Sequence, residues 1–119
     1  MKNYLAMFIG TDDADARGKW DALPETDRQA RQASGMQAWA EWVQANAASI
    51  VDHGSPLGKT KRASREGITD TENLLVAYVI VRAESHEAAT KLFEDHPHFS
   101  IFPGDSVEVM ECLPLPGAP

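Results

Sequence analysis

The chain has one cysteine, Cys112, in 119 residues, so no internal disulfide can form. That usage fits a reducing, cytoplasmic setting. Long hydrophobic runs are also missing. The first apolar stretch, Tyr4 to Ile9, is far too short to span a bilayer. No basic segment leading into a long apolar stretch and a small-residue cleavage site follows Met1, so neither export nor membrane attachment is expected. Cations are scarce: 11 Lys and Arg against 18 Asp and Glu leave a net charge of -7. Nucleic acids and anionic membranes are held by clustered cations that displace counterions, so both are poor partners for such a chain. The local exception is "GKTKRASR", with Lys59, Lys61, Arg62 and Arg65. It has no glycine-rich phosphate cradle before it and reads as an exposed edge strand whose cations discourage further pairing. Asp12, Asp13 and Asp15 lack the glycine and distal glutamate of a calcium loop and read as a solvated loop.

What is present is the patterning of one domain over residues 1–119, ending in an extended tail at 113–119 expected to be mobile. "KNYLAMFIG" is apolar on both alternating faces, the pattern of a central strand covered on both sides. Pro24, Glu25 and Asp27 suit the first turn of a helix. Ser34-Gly35 is expected to interrupt it, with Ser34 and Gln37 as a capping box for a second segment. Met36, Trp39, Ala40, Val43, Ala47 and Ile50 then form one buried stripe, with Trp42 beside it. His53-Gly54 marks the turn out of this helix, "PLGKTKRAS" a polar strand and "REGITDTEN" a turn-rich link. "LLVAYVIVRA" is the second central strand. Ser85 caps a short helix whose inner side is Ala88, Ala89, Leu92 and Phe93. Pro97 stops it, Pro103-Gly104 makes a type II turn, and "SVEVMEC" is the last strand.

The order is βαββαβ, and the most apolar strands are the first and third. A ferredoxin-like α+β fold with a four-stranded antiparallel sheet in the order 4-1-3-2 follows, both helices on one face. The other face of the central strands is also apolar. A homodimer packed sheet to sheet, as a dimeric α+β barrel, would bury it.

The opening strand, "GSPLGKTKRAS", "GITD" and "VAYVIVRAESHEAATKLFEDHP" together resemble the YCII-related, or DGPF-domain, proteins. The resemblance runs over nearly the whole chain. It implies a dimeric α+β barrel and the company of small, cofactor-poor enzymes acting on ring compounds. Asp70 stands at the aspartate of the family's Thr-Asp-Gly-Pro-Phe stretch, while Thr71, Glu72 and Asn73 replace the last three residues. The histidine that family members carry on the first long helix has no counterpart. Gln37 or Trp39 falls at its place, and Asn46 or Ala47 at that of its aspartate partner, so the dyad does not transfer.

Imidazole chemistry is thereby directed to "HPHFSIFPGDSVEVMECLP" and to His53. His96 and His98 project the same way if the segment is extended. A metal would need a third ligand from His53, Asp95, Asp105 or Glu108, and His-x-His alone does not make a site, so no metal or other cofactor is assigned. An acid–base pair asks for less: His96 or His98, oriented by Asp70 or Asp105. The plain alternative has His96 capping the preceding helix and His98 partly exposed. In the last strand Val107, Val109 and Glu111 share one face, and Glu108, Met110 and Cys112 the other. A glutamate enclosed among apolar groups would have a raised pKa. Cys112 reads as a small buried apolar residue. The sequence thus predicts a small-molecule enzyme using His96, His98 and Asp70, with Trp39, Trp42 and Phe99 as cavity walls. The reading from another class is a non-catalytic dimeric ligand-binding or accessory protein with the same pocket.

Overall fold

A computed structural model describes residues 1–117. In chain order the elements are β1 (Lys2–Ile9), α1 (Ala14–Asp21), α2 (Glu25–Ala45), β2 (Ile50–Pro56), β3 (Thr60–Ser64) and β4 (Gly67–Thr71). They are followed by β5 (Leu75–Ala83), α3 (His86–Lys91), α4 (Pro97–Ser100) and β6 (Ser106–Glu111). The antiparallel sheet runs β2-β5-β1-β6, so the two doubly apolar strands take the centre, and the fold is α+β and ferredoxin-like as expected.

The register explains the core. Tyr4 pairs with Val81, Ala6 with Val79 and Phe8 with Ala77, which puts one apolar row of each central strand on the same face. Tyr4, Ala6, Phe8, Val79 and Val81 are almost fully withdrawn from water. Trp39 and Trp42 of α2, with Ala88, Ala89, Leu92 and Phe93 in and after α3, pack on this row. Each large side chain so covered contributes about 1.5–3 kcal/mol. The Trp42 indole Nε1–H also donates to the Leu92 carbonyl at 2.7 Å, which satisfies the indole and ties α2 to the end of α3. The opposite row, Leu5, Met7, Tyr78, Ile80 and Met110, has no described helix over it, and Met110 is 42% exposed.

Several local expectations are corrected. The loop after β1 contains α1, because the Asp13 side chain accepts from the backbone N–H groups of Asp15 and Ala16. Helix α2 runs unbroken through Ser34-Gly35. Gly35 is there for space: a methyl at this position would lie 2.5 Å from the Phe102 ring. The inner side of α2 is Gly35, Trp39, Trp42 and Val43, whereas Met36 is 62% exposed and Ala40 and Ala47 also face solvent.

The strand beside β5 is Ile50–Pro56, not the lysine-rich segment. His53-Gly54 lies inside it. The pairing skips between Ile50, Asp52 and Ser55, and Gly54 takes φ +66° where a Cβ would strike the Tyr78 carbonyl. The lysine-rich segment pairs instead with "GITDT" as a separate hairpin of β3 and β4. Cys112 is exposed, contrary to the buried reading, and Glu111 escapes the apolar face by pairing with Lys2 at 2.8 Å. Leu113 and Leu115 are exposed; of the expected tail, residues 118 and 119 lie outside the described residues. No helix among the described residues is long and apolar enough to cross a membrane.

Candidate functional site

Between α2 and the β1–β5–β2 part of the sheet lies a cavity of about 420 Å³. The inward rows that build the core also build its walls: Phe8 from β1, Trp39, Trp42 and Val43 from α2, Ala77 and Val79 from β5. The bulge in β2 brings His53 and Ser55 to the same space, and α4 contributes His98. No Asp, Glu, Lys or Arg side chain lines it. An environment of this kind suits an apolar, uncharged ligand oriented by a few convergent polar atoms.

The two histidines sit on a helical turn, not an extended segment. Pro97 does not merely end α3; it opens α4 at the first position, with His96 as the N-cap. The backbone N–H of His98 donates to His96 Nδ1 at 3.0 Å. His96 therefore caps the helix that follows it, not the one before. With Nδ1 an acceptor, the neutral ring carries its proton on Nε2, which is buried and has no hydrogen-bond partner. Around it stand Phe8, Trp39, Trp42 and Phe93, the Trp39 ring perpendicular at 4.5 Å between centroids. Burial, and secondarily the neighbouring His98, pushes the His96 pKa down to about 4. His96 is thus a neutral, enclosed cap and does not line the cavity.

His98 is arranged differently. Its Nε2 lies 2.7 Å from the Ile9 carbonyl, which can only accept, so Nε2 carries a proton in both charge states. That leaves Nδ1, for which no hydrogen bond is seen among the described residues, as the ring's basic atom. Gly104 keeps this geometry possible: its N–H donates to the His98 carbonyl at 3.0 Å, and a methyl there would overlap Cε1 and Nε2 of the ring. Gly104 does not adopt positive φ, so the expected type II turn is absent; the glycine is needed for room.

Of the residues predicted from sequence, the structure brings His98, Trp39 and Trp42 to one cavity and sets His96 behind the two indoles. It does not bring Asp70. That carboxylate is on the hairpin, hydrogen-bonded to Lys61 Nζ at 2.7 Å with both side chains open to solvent. Phe99 faces a different groove, beside Trp20. Asp105 accepts from the Ser106 hydroxyl. Among the described residues no three His, Cys, Asp or Glu side chains cluster as metal ligands would. Ser55 was not anticipated as a lining residue, and His53 only as a candidate imidazole; a glycine such as Gly54 inside a strand marks a bulge, but the sequence reading placed it in a turn.

No family model and no curated protein matches the chain. Among solved structures it is similar to 5-chloro-2-hydroxyhydroquinone dehydrochlorinase (TftG) from Burkholderia phenoliruptrix AC1100, in complex with 2,5-dihydroxybenzoquinone. The TM-score is 0.51 at 16% identity, and the match covers 93% of each chain. The two proteins share a fold.

Proposed function

We propose that this chain is a cofactor-free acid–base enzyme of the YCII-related, DGPF-domain type, acting on a small, uncharged ring compound in the cavity walled by Trp39 and Trp42. One observation carries the reading: His98 stands on the wall of a charge-free cavity with Nε2 fixed to the Ile9 carbonyl, leaving Nδ1 as the proton acceptor. In a proton transfer Nδ1 takes the proton and later returns it. In an elimination the same atom takes the proton, the bonding pair forms the new double bond, and the leaving group departs to water. The dehydrochlorinase of like fold supports small-molecule chemistry in such a scaffold. The Ile9 carbonyl substitutes for the expected Asp70 as the orienting group, and it stabilises the imidazolium less than a carboxylate would. We further propose a homodimer closed through Leu5, Met7, Ile80 and Met110, in keeping with the barrel that the family resemblance implies.

The test uses 5-chloro-2-hydroxyhydroquinone, a phenol that is uncharged near neutral pH, both as the binding probe and as the trial substrate. The probe quenches Trp39 and Trp42 fluorescence on binding. His98→Gln retains probe binding and loses about 10²-fold or more in turnover. Equal turnover in the variant would overturn the role of His98. Binding without turnover in the parent protein would favour the second reading, a ligand-binding or accessory dimer, which is supported by the absence, among the described residues, of any carboxylate within 4.0 Å of the His98 ring nitrogens.

A further inference from the structure

We infer a second binding site, for an aromatic carboxylate, in the groove of about 230 Å³ where α1 and α2 meet the loop between α4 and β6. Its chemistry is the reverse of the first cavity's. The charged residues lining it are Lys19 and Arg31, and both are cations. Neither has a carboxylate within 4.0 Å among the described residues, although the chain carries an excess of acids. The acidic side chains on the same two helices, Asp15, Asp21, Glu25, Asp27 and Glu41, stay out of the groove lining.

The apolar part of the groove is aromatic. Trp20 and Phe102 meet at 6.0 Å between centroids, and Leu23 and Phe99 continue the surface. The Arg31 guanidinium is already held over the Trp20 ring, its carbon 5.8 Å from the centroid. A guanidinium so stacked keeps its edge N–H groups free for a bidentate carboxylate, and the indole edge meets the ligand's ring. Phe102 is the partition between this groove and the histidine cavity, since its ring lines both. One ring system therefore separates a compartment for uncharged ligands from one for anions.

Indole N–H resonances of ¹⁵N-labelled protein discriminate the sites, because Trp20 reports on the groove and Trp39 and Trp42 on the cavity. Titration with 2-naphthoate is expected to shift Trp20 saturably and leave Trp39 and Trp42 in place. 2-Naphthol, the same ring system without the carboxylate, is expected to act on Trp20 at least about fivefold more weakly. The exposed double variant Lys19→Gln/Arg31→Gln should bind 2-naphthoate about tenfold more weakly while its spectrum stays dispersed. Non-saturable shifts, an equal response to 2-naphthol, a response at Trp39 and Trp42 in place of Trp20, or unchanged affinity in the double variant would each overturn the site.

Discussion

His96 couples the fold to pH. In the unfolded chain its imidazole takes a proton below about 6.5, whereas in the folded protein burial delays protonation until about 4. Its contribution to stability is therefore complete above pH 6.5 and is lost progressively as pH falls to 4, by about 3 kcal/mol in all. His96→Asn removes the titration and keeps an acceptor for the His98 N–H, since asparagine is a good N-cap. Denaturant midpoints measured from pH 7 to pH 4 should fall more steeply for the parent than for the variant. Parallel curves would show that His96 is not the group responsible.

At the scale of the element, Gly35 sets two effects against each other. Alanine in a helix interior gains about 1 kcal/mol over glycine, while overpacking costs about 1–3 kcal/mol. The clash is with the far edge of the Phe102 ring, which has open space on both sides, so the cost falls at the low end. Gly35→Ala should change stability by less than about 1 kcal/mol and yet alter probe affinity in the cavity, since the partition moves. Urea melts and Trp39/Trp42 quenching check both parts. Gly35 also illustrates what was legible. Periodicity marked α2 and the two central strands, because apolar spacing is a one-dimensional signal. It could not say that α2 ran on through Ser34-Gly35, since the reason lies 67 positions away in Phe102. The site divides in the same way. The segment holding His96 and His98 stood out by composition, and the tryptophans by their stripe. Which histidine keeps a usable nitrogen depended on the Ile9 carbonyl, and Asp70 was drawn off by its cross-strand partner Lys61.

For the whole molecule, the decisive feature is a sheet covered on one side. Leu5 pairs with Ile80 and with Met110 across the central strands, and Met7 pairs with Tyr78, so the uncovered side chains form a contiguous patch. Size-exclusion with light scattering should give twice the 13.0 kDa chain mass for the parent. Leu5→Lys, which places a charge in the middle of that patch, should give the single-chain mass with unchanged far-ultraviolet circular dichroism. A parent protein of single-chain mass at micromolar concentration would remove the dimer.

The β3–β4 hairpin is joined to the body at its root, where Leu57 N–H donates to the Val76 carbonyl at 2.9 Å, and its cations are exposed beyond it. Trypsin should therefore cut first at Lys59, Lys61, Arg62 or Arg65. The two pieces will not part on cutting. β2 of the first piece pairs with β5 of the second, and β1 of the first lies between β5 and β6 of the second. The strands alternate between the halves, so the chain can be opened at this loop and expressed as two complementary fragments that rebuild one sheet.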